Sequence, residues 1–113
     1  MKIVTKKIKL SELREMTAIM LGNLIKAVVD IKKEIMVVDA ELHSDEEALL
    51  IKEGSGQQDI WGINIYPDLP ADQRIEFDSM INLRPRLGNR TRGIEDPEIR
   101  YKIKLIVNRL IEE

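Results

Sequence analysis

The chain has 113 residues, with no cysteine, one histidine and few aromatic rings. Without cysteine there is no thiolate catalysis, disulfide scaffold, iron–sulfur cluster or Cys-based zinc site. A lone histidine excludes a multi-histidine metal site within one chain, and no metal is expected. No Walker or dinucleotide fingerprint occurs, so no cofactor is expected. The aromatics are Trp61, Tyr66, Phe77 and Tyr101. Sheets that bind nucleic acid usually display stacking rings. Here Trp61 and Phe77 alternate with the apolar set and read as core, which argues against an RRM-like or OB-like sheet. Long apolar runs are also missing. The longest are four residues, such as Ala18 to Leu21 and Ala48 to Ile51, whereas a spanning helix needs about 20. The basic start Met1 to Lys7 is not followed by the apolar run of a signal peptide. A cytoplasmic location is the expectation.

What is present suits one globular domain over 1–113, with 43% apolar and 34% charged residues. The net charge of −2 is unevenly spread. Residues 1–33 carry +5, residues 34–83 carry −10, and residues 84–113 carry +3. Opposite signs can attract within one fold, or one surface can meet a partner.

The pattern predicts an α+β fold. Residues 2–9 alternate weakly, as a short lysine-bearing edge strand would. Ser11 reads as a helix N-cap, and Leu13, Met16 and Met20 give a helix over about 11–22 an apolar face. Ile25 to Ile31 and Ile35 to Val38 form a hairpin. Residues 44–53 are ambiguous. Ser44-Asp45-Glu46-Glu47 fits a capping box, but the short apolar run before Gly54-Ser55-Gly56 favours a strand. Ile60 to Tyr66 is a further strand, and residues 67–73 form a loop. Alternation from Ile75 to Leu83 predicts one long strand ended by Pro85. After a loop over 85–95, Asp96 and Pro97 open a C-terminal amphipathic helix. The whole is an antiparallel, meander-like sheet of about five strands with a helix near each end.

Three places can carry chemistry. The first is the loop with Arg84, Arg86, Asn89, Arg90 and Arg92. Guanidinium forks match phosphate, and the interleaved glycines let backbone amides approach an anion. Alternatively, Glu95, Asp96 and Glu98 pair with those arginines internally. The second is His43 among Glu41, Asp45, Glu46 and Glu47. It reads as a mixed nitrogen and oxygen metal site, as a general base with its pKa raised by negative neighbours, or as a solvated acidic loop, the last being the commoner case. The third is the polar face of the expected long strand, with Glu76, Asp78, Asn82 and Arg84 on one side and Asn64 able to join. It is either the wet side of the sheet or, if covered, a site.

The strings ELHSDEEALL, DIWGINIYP and IEFDSMINLRPRLGNRTRGIEDPEIR resemble a family of small prokaryotic proteins with no assigned activity. The resemblance runs from about residue 25 to the C-terminal helix. It implies a stand-alone single-domain protein and supplies no catalytic residues.

Three functions stay open. The first is a domain binding RNA or nucleotide phosphate through the arginine loop, with steep salt dependence. The second is a protein-interaction module or homodimer. The third is a small ribonuclease-like hydrolase using His43 with Glu41 or Asp45, which requires His43 to lie close to the arginine loop.

Overall fold

A computed structural model describes residues 1–20 and 22–113. Strand β1 (Lys2–Val4) and the two-residue strand β2 (Ile8–Lys9) lead into helix α1 (Leu10–Ile19). The helix begins one residue before Ser11, so Lys9 rather than Ser11 occupies the cap position, with no side-chain cap. The expected helix over 11–22 includes Leu21, which lies outside the described residues. Strands β3 (Ile25–Asp30) and β4 (Ile35–Val38) form the expected hairpin. Its turn is organised by buried Asp30, whose Oδ1 accepts from the amides of Lys32 and Lys33.

The ambiguous stretch over 44–53, with a strand favoured, is helical instead: helix α2 spans His43–Lys52. Acids in its first turn and Lys52 in its last suit the helix dipole. Its apolar run is short because the helix buries only a narrow stripe, with Leu50 fully enclosed. Strand β5 (Ile60–Ile65) follows and pairs antiparallel with β3. The expected long strand over 75–83 is also corrected. Strand β6 spans only Ile75–Glu76, and residues 80–82 make a 3-10 turn. Helix α3 (Pro97–Leu110) opens on Asp96, whose side chain accepts from the Glu98 amide, with Pro97 in its first turn. A short strand β7 (Ile111–Glu112) then pairs in parallel with β2.

The main sheet is antiparallel throughout, in the order β1-β4-β3-β5-β6. Both faces are covered. Ala27, Val29, Met36, Val38, Trp61, Ile63 and Ile65 pack with Leu13 and Met16 of α1 and with Ile103, Val107 and Leu110 of α3. On the opposite face, Val28, Val37 and Ile60 pack with Leu50, against partly buried Leu49 and Ile81. Strands β3 and β5 are therefore apolar on both sides, and the few polar residues they carry are placed under cover. No described helix is long and apolar enough to cross a membrane.

The strand at 75–83 stops early because a side chain completes the edge of β5. Asn82 Oδ1 accepts from the Gly62 amide at 2.8 Å, and Asn82 Nδ2 donates to the Gly62 carbonyl at 2.9 Å. The amide side chain pairs with Gly62 as a neighbouring strand would. Gly62 permits this approach, since a Cβ there would stand 2.6 Å from Ser79 Cβ.

Candidate functional site

The strand register builds the floor of a cleft. Lys26 of β3 lies opposite Asn64 of β5, and Asn64 lies opposite Glu76 of β6. With a side-chain period of two, all three stand on the face covered by α2. That helix starts at His43, so its first turn opens over the same row. The segment after β6 brings in Asp78 and Ser79, and the end of the arginine loop brings in Arg92. The resulting cleft, about 200 Å³, is lined by Lys26, His43, Ser44, Asn64, Asp78 and Arg92, with Leu42 and Met80 among its other walls.

Its polar groups are held from behind. His43 Nε2 lies 2.7 Å from the Ile63 carbonyl. A carbonyl only accepts, so this nitrogen carries the proton and Nδ1 keeps its lone pair. The His43 pKa is lowered, chiefly by burial, with Lys26 and Arg92 also pushing down and the Ile63 bond and Asp78 pulling up. This reverses the expectation of a raised value: desolvation outweighs nearby negative charge, and the ring is neutral at pH 7. Asn64 Nδ2 donates to Glu76 Oε1 at 2.8 Å and to the Asp78 carbonyl at 3.3 Å. The Tyr66 hydroxyl meets the same Glu76 oxygen at 3.0 Å. Lys26 Nζ donates to the Glu41 carbonyl at 2.7 Å. Arg92 Nε donates to Asp78 Oδ1 at 2.8 Å. The Arg92 backbone is pinned in turn, its carbonyl accepting from the Ser79 amide and from Asn82 Nδ2.

The arginine loop divides by role. Arg84 is turned inward. It donates to the carbonyls of Gln57 and Ile60 and to Glu47 Oε2, and it stacks 5.2 Å from the Trp61 ring centre. Asn89 is buried and donates to the carbonyls of Asn82, Thr91 and Gly93, while its Oδ1 accepts from the Glu95 amide. These two residues shape the loop. The chain reverses at Gly88, whose φ of +80° suits a residue without Cβ. Arg86 and Arg90 are exposed on the loop, and the Arg90 backbone amide donates to Glu95. Arg92 alone of the four enters the cleft with His43.

The other expected groupings separate. Glu41 and Asp45 line a different depression with Met1, Ala48, Leu49 and Lys52 and are not among the residues lining the His43 cleft. The carboxylate that shares the cleft with His43 is Asp78. The expected polar face of Glu76, Asp78, Asn82 and Arg84 is not one strand face. Glu76 and Asp78 stay near Asn64, Asn82 turns to Gly62, and Arg84 turns to Trp61. Lys26, Ser44 and Ser79 were not anticipated. Lys26 had a signal: it is the one basic residue inside the apolar run of β3.

A larger depression, about 820 Å³, lies elsewhere, beside α1 and β7. Four of its charged residues pair with one another, Arg14 with Asp68 and Arg74 with Glu113. Asn64, on the floor of the His43 cleft, has a fully buried Oδ1 without a protein partner. Among the described residues, no group of three or more His, Asp or Glu side chains is placed to hold a metal ion.

Comparison with known proteins adds a family and no activity. No curated protein and no solved structure matches the chain. One family matches nearly its whole length, over residues 2–110, and on that match the chain belongs to the family described as Protein of unknown function (DUF5674).

Proposed function

We propose that the chain is a phosphate-binding domain, with the anion held in the His43 cleft by Arg92 of the arginine loop and by Lys26. One observation carries this reading. Two cations from distant parts of the sequence meet the first turn of α2 in a single cleft. Helix N-termini and cationic side chains both stabilise anions. Arg86 and Arg90 are free to meet the rest of a longer ligand such as RNA. Arg84 and Asn89 act by holding the loop in shape.

The test is calorimetric titration with inorganic phosphate and with a short single-stranded RNA at low salt. Arg92→Ala and Lys26→Ala should each weaken phosphate binding by about tenfold or more, as loss of a charge-assisted hydrogen bond does. Arg86→Ala and Arg90→Ala should leave phosphate binding unchanged and weaken only RNA. RNA affinity should fall steeply with salt. Wild-type affinity in Arg92→Ala would remove Arg92 from the site.

A second reading, a small hydrolase, is favoured by the meeting of His43 and Arg92 in one cleft. A neutral imidazole with Nε2–H held by a carbonyl offers Nδ1 as a general base. On this reading RNA incubated with the protein is cleaved, the rate rises with pH through a value below the usual histidine range, and His43→Gln abolishes it. Intact RNA after prolonged incubation with wild-type protein would leave binding without catalysis.

A further inference from the structure

We propose that a second pocket, at the other end of the β5 edge from the His43 cleft, seats an unpaired RNA base, so that the protein selects single-stranded over double-stranded RNA. The inference rests on the phosphate-binding reading above and adds the form of RNA that is bound.

The pocket, about 370 Å³, is lined by Gln57, Gln58, Arg84, Pro85, Arg86 and Leu87. It falls within the roughly 300–1,000 Å³ of ordinary ligand pockets, whereas the His43 cleft, at about 200 Å³, falls below it. Its chemistry differs as well. Arg84 commits its guanidinium to the protein. Nη1 donates to the Gln57 and Ile60 carbonyls and Nη2 to Glu47 Oε2. Arg84 is therefore a wall rather than a phosphate receptor, and it fastens the turn carrying Gln57 and Gln58 to the arginine loop. What remains is two exposed amide side chains, the exposed Arg86, and the apolar surfaces of Pro85 and Leu87. A primary amide carries a donor and an acceptor side by side, as the edge of a nucleobase does. Guanidinium and apolar surfaces take the face of a base.

The pocket and the cleft lie along one strand edge. Arg84 bonds the Ile60 carbonyl, Asn82 bonds Gly62, and β6 pairs at Asn64. Ile60 and Asn64 are four residues apart on β5, about 13 Å at roughly 3.3 Å per residue. The arginine loop joins the two ends, with Arg84 to Leu87 at the pocket and Arg92 in the cleft. An RNA strand with one phosphate in the cleft reaches the pocket with a base a few nucleotides along. In a duplex the bases are paired and stacked inside the helix and do not enter a pocket. A surface that reads phosphates alone favours the duplex, whose charge is denser.

The experiment compares a short single-stranded RNA with the blunt duplex that it forms with its complement, by calorimetry on the wild-type protein at low salt. The single strand should bind at least about tenfold tighter, within what one stacked base contributes. Leu87→Ser, and separately Gln57→Ala with Gln58→Ala, should lower single-strand affinity to that of the duplex. Affinity for inorganic phosphate should not change in either variant. All three side chains are exposed, so both variants should fold. Duplex binding as tightly as the single strand would overturn the base pocket and leave the phosphate cleft standing. So would phosphate binding without RNA binding, or wild-type selectivity in both variants. No binding of phosphate or of either RNA would overturn both. Single-strand selectivity that disappears in Leu87→Ser, with no phosphate binding, would keep the pocket and remove the cleft.

Discussion

Between pH 7 and pH 9 the protein is expected to lose about 2 kcal/mol of folding stability, at about 1.4 kcal/mol per pH unit near pH 7 and about half that slope near pH 9. The source is Glu46. It lies on α2, is fully buried, and no hydrogen bond of good geometry reaches either carboxyl oxygen. Burial pushes its pKa from 4.5 up to about 9, and the Ala40 amide and Lys26 offset this only in part. The folded state therefore keeps a proton that the unfolded chain releases above pH 4.5. The stabilisation is complete below that pH and is lost as pH rises toward 9. The other shifted groups act outside the window. His43, with its pKa lowered, withdraws stability only as pH falls below 6.5. Tyr66, with its pKa raised, acts only near and above pH 10. Urea unfolding at pH 7, 8 and 9 gives the slope. Glu46→Gln should flatten it, and Glu46→Met should be more stable than wild type by roughly 3 kcal/mol at pH 8, since an apolar side chain of similar size needs no partner. A wild-type stability that is flat from pH 7 to 9 would show that Glu46 is ionised and paired in the native state.

Asn82→Ala should cost about 3 kcal/mol or more, the other large effect expected of a single substitution. Truncation leaves the amide and carbonyl of Gly62 without their partner on the free edge of β5. Each orphaned buried group costs about 1–3 kcal/mol. It also removes one of the two donors on the Arg92 carbonyl. Gly62→Ala tests the same junction from the other side, because its Cβ would overlap Ser79 Cβ. That atom is fixed to the backbone and cannot swing away, so a loss of about 2–3 kcal/mol is expected. Denaturant midpoints measure both. An Asn82→Ala variant within 1 kcal/mol of wild type would mean that water replaces the side chain at this edge.

The same junction explains where the sequence could be read and where it could not. The β3–β4 hairpin, strand β5 and the Asp96-Pro97 helix start were legible because each rests on local chemistry: β-branched alternation, a continuous apolar run, and a cap followed by proline. Alternation from Ile75 to Leu83 looked like more of the same. It persists without a strand because Phe77 and Ile81 pack into two different clusters on either side of the sheet, while Asn82 pairs through its side chain. Helix α2 was hidden by its narrow buried stripe, of which one member is Glu46 rather than an apolar residue. The arginine cluster was visible, but its division was not. Whether a guanidinium faces Trp61 or the cleft depends on contacts with residues far away in sequence. The cleft itself was only partly legible. His43, the Asn64–Asp78 pair and Arg92 stood out in three separate groupings, but the strand register that aligns Lys26, Asn64 and Glu76 is a tertiary property.

The most direct test of the phosphate-binding account is a map of amide chemical shifts as inorganic phosphate is added at low salt. Shifts should concentrate at Lys26, at His43 and Ser44, at Asn64, at Asp78 and Ser79, and at Arg92, and they should vanish in Arg92→Ala. A response confined to the exposed tip at residues 85–90, or none at all, would contradict a phosphate site in the His43 cleft.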